Sequence, residues 1–302
     1  MNTVVRDHIR RTPVVSVAAE EIGAAVQIGT APLTLKLEQL QCSGSFKARG
    51  AFANLLTRDV PSAGVVAASG GNHGVAVAYA AAQLGVPAHI FVPTVSATQK
   101  VERIRRLGAD LVITGDRYSD ALAVADAFAA ETGALPIHAF DQRETITGQG
   151  TLALELAEQS PQLTTVLVPV GGGGLIAGIA AFFGDSVRVV GVEPTGAPTL
   201  SRARTFGAPV DAPTDSIAAD ALAPRRVGEL TFTIAEAHVD DVVLVDDDAI
   251  AEAQHVLWEQ LRVISEPAAA VGIAALRSGA YRPTPSERVG VIITGANTAA
   301  TV

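Results

Sequence analysis

Short β-branched runs alternate along the chain with alanine-rich stretches of helical length, and glycine or proline falls between most of them. Six runs predict strands: Gly64–Ser69 (GVVAAS), Ala88–Pro93 (AHIFVP), Ala109–Gly115 (ADLVITG), Thr164–Val170 (TTVLVPV), Val187–Val192 (VRVVGV) and Val289–Thr294 (VGVIIT). Their near-continuous apolar character, in place of strict alternation, predicts largely buried strands of parallel sheets. Asn72–Leu84, Thr98–Leu107, Tyr118–Glu131 and Glu144–Gln159 predict the intervening helices, the first opening on a capping residue and the others placing apolar and charged residues on separate faces. This alternation predicts an α/β fold. No internal repeat or linker interrupts it, and the Ala/Pro-rich region Thr195–Pro224, the least regular, is expected to be a surface excursion.

Composition narrows the class. With 302 residues, 48% hydrophobic and 18% charged, the chain can build one large core or two domains and is too apolar to be disordered. No window approaches the roughly 18 apolar residues of a membrane span, and the opening MNTVVRDHIRRTP lacks a signal-peptide apolar region, so a cytoplasmic protein is expected. The single Cys42 excludes an internal disulfide and a cysteine-rich metal cluster. The net charge of −9, with no basic run, disfavours nucleic acid and anionic membranes as partners. An anionic ligand must therefore be held by local groups.

Three segments carry candidate chemistry. In LEQLQCSGSFKARGA (Leu37–Ala51), a strand-like run and a small polar turn place Lys47 in the first turn of a helix. The helix field there disfavours a cation and lowers an amine's pKa, which suits a nucleophile or base; a solvated surface lysine is the alternative. In ASGGNHGV (Ala68–Val75), small residues between a strand and a helix let the backbone approach a carboxylate or phosphate, and His73 is either an acid/base or a structural residue beside the cap. In VPVGGGGLIAG (Val168–Gly178), four glycines after a buried strand are hard to explain by packing and read as a phosphate cradle. Gly172, Gly174 and Ala177 also satisfy the G-x-G-x-x-A dinucleotide pattern, with Glu193 at the end of the next strand. That nicotinamide reading leaves Lys47 and the Asn72 turn unexplained.

Together and in order, SGSFKARGA, SGGNHG, PVGGGGLIAG and EPAAAVGIAAL resemble the serine/threonine dehydratase family of pyridoxal-phosphate enzymes, which includes serine racemases, and the layout covers nearly the whole chain. The resemblance implies the fold-type-II architecture of two doubly wound α/β domains: a large domain of residues 1–44 and 141–302, a small inserted domain of residues 45–140, the cofactor in the cleft between them, and a homodimer. It implies that Lys47 forms a Schiff base with pyridoxal 5′-phosphate, that Phe46 lies against the ring, and that Asn72 bonds its 3′-oxygen. Gly171, Gly172, Gly173, Gly174 and Leu175 would cradle the phosphate, and Ser69, Gly70, Gly71, Asn72 and His73 would receive the carboxylate of a small amino-acid substrate. Thr294 stands where the family has a hydroxyl or thiol facing the pyridine nitrogen, with Ala296 replacing a family glycine two residues on. Glu266 matches a family glutamate near that end, and reads equally as a helix-cap acid.

The implied reaction is loss of water from an L-hydroxyamino acid, threonine or serine, giving a 2-oxo acid and ammonia. A serine or aspartate-type racemase, a 3-hydroxyaspartate dehydratase and a non-catalytic cofactor carrier are the alternatives. Family racemases carry a serine two residues before the loop asparagine; here that residue is Gly70, so racemisation is expected to be minor. A divalent cation in related proteins sits against positions matching Glu193, the Ala197 carbonyl and Thr199; with threonine at the third, weak or absent metal dependence is expected. The chain ends shortly after Thr294, and no C-terminal regulatory domain is expected.

Overall fold

The strand–helix alternation folds into two twisted sheets covered by helices. The computed structural model describes residues 1–24, 32–96, 98–222 and 224–298. One sheet runs in the order β1 (Val14–Val17), β2 (Leu33–Leu37), β10 (Val289–Ile293), β7 (Thr165–Pro169), β8 (Arg188–Pro194), β9 (Asp241–Val245). Only the β1–β2 pair in it is antiparallel. The other sheet is wholly parallel, in the order β5 (Asp110–Ile113), β4 (Ala88–Val92), β3 (Val65–Ala68), β6 (Leu135–Pro136). Every residue of β2, β3, β7 and β10 is buried, which is why β3, β7 and β10 read as largely apolar runs, while β2 buries Thr34 and Lys36 as well.

The helices are α1 (Asn2–Val5), α2 (Lys47–Thr57), α3 (Asn72–Leu84), α4 (Thr98–Arg106), α5 (Tyr118–Thr132) and α6 (Arg143–Gln159), followed by α7 (Gly174–Phe183), α8 (Thr199–Phe206), α9 (Ala219–Leu222), α10 (Glu229–His238), α11 (Asp247–Leu261) and α12 (Pro267–Ser278). Helix α12 has Pro267 in its first turn and is buried from Ala268 through Leu276. Its small residues let it lie close against the large sheet: a Cβ on Gly272 would come within 2.6 Å of Val291. No described helix is long and apolar enough to cross a membrane.

Two expectations are corrected. The run Ala109–Gly115 does form a strand, but at the open edge of its sheet, where Val112 and Ile113 are 40% and 46% exposed. Thr195–Pro224 is not simply a surface excursion: it forms α8 and α9, buries Ala197, Leu200, Ala203 and Leu222, and walls a cavity described below. Alanines and prolines there pack at the protein interior without the periodicity of a long helix. Strands β1 and β9, short runs at the two edges of the large sheet and partly exposed, were not singled out in the sequence.

Candidate active site

The carboxyl ends of β3 and β7, each followed by a helix N-terminus, face a common cavity of about 820 Å³. Such crevices, just outside the strand ends, are where open α/β sheets bind ligands. The cavity is bordered by Phe46 and Lys47, by Ser69, Gly70, Gly71, Asn72 and His73, by Gly171 through Leu175, and by Glu266 and Thr294. Every predicted cofactor and substrate residue thus borders one space, while Glu193 and Ala197 do not.

Lys47 is the first residue of α2, as its spacing predicted. Its Nζ donates to the Ala139 carbonyl at 2.7 Å and stands 5.1 Å from the centre of the Phe46 ring. Burial brings its pKa down to about 8, against the opposing pull of Glu266. Loss of water around the ammonium, rather than the helix field emphasised by the sequence, is the dominant cause. The turn before it is clamped by the strand end that carries Thr294. Phe46 N donates to Thr294 O at 3.1 Å, Ser45 bridges Gly295, and Ala296 N donates to Gly44 O at 3.0 Å.

A buried ion cluster absent from the motif reading fixes the same helix from behind. The Arg49 guanidinium donates to both Glu38 oxygens at 2.8 Å and to Glu155 at 2.8 and 2.9 Å. Lys36 Nζ adds bonds to Glu155, the Thr12 carbonyl and Gln159, each at 2.8 Å. The four charges balance, and each carboxylate is satisfied by a cation, which is the condition under which buried ions are tolerated. Charged residues inside the strand-like LTLKLEQL were the available signal, because an inward lysine in a buried strand needs a partner.

The glycine loop departs from its sequence reading in one respect. Packing does explain part of it: a Cβ on Gly174 would come within 2.8 Å of the Phe140 backbone, and one on Gly172 would enter the Phe140 ring. Gly173 has φ +89°, open to glycine at no steric cost. The loop carbonyls are held away from the cavity: Thr199 Oγ1 donates to Gly171 O at 2.8 Å and Thr231 Oγ1 to Gly172 O at 2.9 Å. The N–H groups of Gly171 through Leu175 find no acceptor among the described residues. Five free donors at a helix N-terminus form an anion cradle without any basic side chain.

At the facing loop, Asn72 Nδ2 donates to Glu266 Oε1 at 2.6 Å, and Asn72 Oδ1 accepts from Asn297 at 2.9 Å. Glu266 occupies the N-cap position of α12 but makes no cap bond; it points to Asn72, so the helix-cap reading is set aside. Burial raises its pKa, and Oε2 is buried without a partner. His73 Nε2 bonds the Ile137 carbonyl at 2.9 Å, and burial brings its pKa down to about 3. A neutral ring facing a backbone carbonyl is structural, so the acid/base reading of His73 is dropped. Ser69 Oγ accepts the Gly71 N–H at 3.2 Å and shapes its own turn.

The residues present fit pyridoxal phosphate. The free N–H donors match a phosphate, a buried amine of lowered pKa matches its aldehyde, and Glu266 Oε2, buried without a partner, offers an acceptor beside Asn72. The nicotinamide reading fails on Glu193. That carboxylate is fully buried, accepting from Leu200 N at 2.7 Å and Ser201 N at 2.9 Å, with Thr199 Oγ1 2.9 Å away, so it caps α8 and reaches no ribose. Burial pushes its pKa up to about 7. Among the described residues no group of three His, Cys, Asp or Glu side chains is arranged to hold a metal.

Fold and site together define a two-sheet α/β protein built to hold a phosphorylated aldehyde cofactor beside a lysine. A family model described as "Pyridoxal-phosphate dependent enzyme" matches residues 5–295, and the chain belongs to that family. Serine racemase of Oryza sativa subsp. indica is 36% identical over 299 residues, covering 96% of this chain and 86% of that protein. The biosynthetic L-threonine dehydratase of Escherichia coli strain K12 is 38% identical over 271 residues, covering 88% of this chain and 53% of that protein. The solved structure of maize serine racemase superposes with a TM-score of 0.92 at 35% identity, covering 99% of this chain and 92% of that one. Racemases and dehydratases are thus similarly close, and the family assignment covers both.

Proposed function

We propose that this chain removes water from an L-hydroxyamino acid, threonine or serine, and releases a 2-oxo acid and ammonia. The observation that carries the proposal is Lys47: a buried amine with a pKa near 8 bordering a cavity that also holds two sets of anion-binding N–H groups. Pyridoxal phosphate, when bound, supplies the electron sink that makes an α-proton removable. Gly171 through Leu175 hold its phosphate through backbone donors. Phe46, Asn72 and Thr294 border the space for its ring, and Thr294 offers a hydroxyl, which cannot enforce a positive charge as a carboxylate would. The N–H groups at the start of α3 receive the substrate carboxylate. Lys47 Nζ, in the unprotonated form that its lowered pKa makes accessible, would take the α-proton; the β-carbon–oxygen bond would then break and the hydroxyl would leave as water with a proton. Water replaces the nitrogen in the released product, so one water leaves and one enters.

The division into residues 1–44 with 141–302 and residues 45–140 is part of this proposal, and the placement of β3 to β6 within the second segment supports it. A homodimer and a cytoplasmic location belong to the same proposal. Glu193 serves as a helix cap and not as a cation ligand. Incubation of the purified protein with L-threonine, L-serine and 3-hydroxyaspartate, scored for 2-oxo acid and for chirality of the remaining substrate, tests the reaction. Rapid 2-oxo acid release with little racemisation is expected; racemisation as fast as elimination overturns it.

A further inference from the structure

Gly70 poses a question that the backbone does not answer. It is not among the residues of positive φ, so its conformation does not call for glycine. The space for its side chain is already taken. A Cβ on residue 70 would come within 2.5 Å of the Ser96 Cβ and closer still to the Ser96 hydroxyl. Ser96 arrives from a different element, the turn after β4, where its N–H donates to the Pro93 carbonyl at 3.0 Å. It borders the cavity together with Lys47, Ser69, Gly71 and Asn72. Its hydroxyl bonds no described residue, whereas the neighbouring Ser69 hydroxyl is engaged by its own turn. An uncommitted hydroxyl therefore stands where a residue-70 side chain would stand, beside the free N–H groups that open α3.

We propose that Ser96 is a substrate-positioning residue, whose hydroxyl hydrogen-bonds the carboxylate of the bound amino acid and stands in for a side chain on Gly70. The assignment rests on the amino-acid reading of the cleft given above. It extends that reading to a residue outside the three loop motifs, and it makes residues 70 and 96 an interlocked pair in which only one can carry a side chain.

The test measures calorimetric binding of glycine, an amino acid with no β-substituent to lose, to the cofactor-loaded protein and its variants. Ser96→Ala should weaken glycine binding about tenfold, the usual effect of losing one hydrogen bond to a charged group, with cofactor content and melting temperature unchanged. Gly70→Ser alone should lower the melting temperature, because two side chains compete for one space. Gly70→Ser combined with Ser96→Gly should recover both stability and glycine affinity. With a hydroxyamino-acid substrate, Ser96→Ala should raise KM more than it lowers kcat. Glycine binding to Ser96→Ala as tight as to the unmodified protein overturns the role of Ser96 while leaving the cleft reading intact. An unmodified protein that binds no glycine and releases no 2-oxo acid overturns both.

Discussion

A lysine kept at a pKa near 8 should burden the fold that holds it, and replacing Lys47 by methionine exposes that cost. The side chain keeps its length and loses its charge. Holding an amine at about 8, against 10.5 for a free lysine, costs the cofactor-free folded protein about 3 kcal/mol at neutral pH. The substitution also removes the bond to the Ala139 carbonyl, which returns about 1 kcal/mol of that gain. Lys47→Met apoprotein should therefore be more stable than the unmodified apoprotein by about 2 kcal/mol at pH 7. The sign of the pH dependence follows from the lowered pKa. Between about 8 and 10.5 the folded protein binds fewer protons at this site than the unfolded chain, so the unmodified protein gains stability as pH rises through that window. The advantage of the methionine variant should shrink across it and vanish by its upper end. Urea denaturation of both apoproteins at pH 7, 8, 9 and 10 measures this directly. A methionine variant that is less stable than the unmodified protein by a constant amount at every pH would refute the burial argument.

Arg49→Leu should destabilise the protein by about 3–5 kcal/mol in denaturant melts, because it leaves the buried Glu38 carboxylate without a cation and Glu155 with Lys36 alone. It should also loosen α2, so cofactor affinity falls with stability although Arg49 does not border the cavity. Exhaustive dialysis against a chelator should leave the activity unchanged, since both Glu193 oxygens are committed to α8; activity that collapses and returns with magnesium contradicts that. Gly172→Ala should abolish cofactor uptake, because its methyl group would enter the Phe140 ring and push the loop out of shape.

The motif segments were legible because each is local. A turn between a strand and a helix, with its small residues and its free N–H groups, is written in eight to fifteen consecutive letters. Lys47, Asn72 and the four glycines were placed in this way. What escaped was assembled across the chain. Glu266 meets Asn72 across 194 residues, and Lys36 meets Glu155 across 119, so neither pairing leaves a spacing to read. The glycine loop was read as ligand chemistry alone because Phe140, which also demands two of its glycines, lies outside the motif. Gly70 looked like a simple absence until the fold brought Ser96 into its space. Ala109–Gly115 was read as buried because its composition matches a central strand, and only the strand order puts it at an edge.

Covalent mapping of the cofactor tests the central claim most directly. The purified protein, reduced with borohydride and digested with trypsin, should yield a single pyridoxyl-modified peptide, Leu37–Arg49, with the modification on Lys47 Nζ. A modification on Lys36 or Lys100, or reduced protein that retains no pyridoxyl group, would contradict the assignment of this cavity and of Lys47 as its reactive amine.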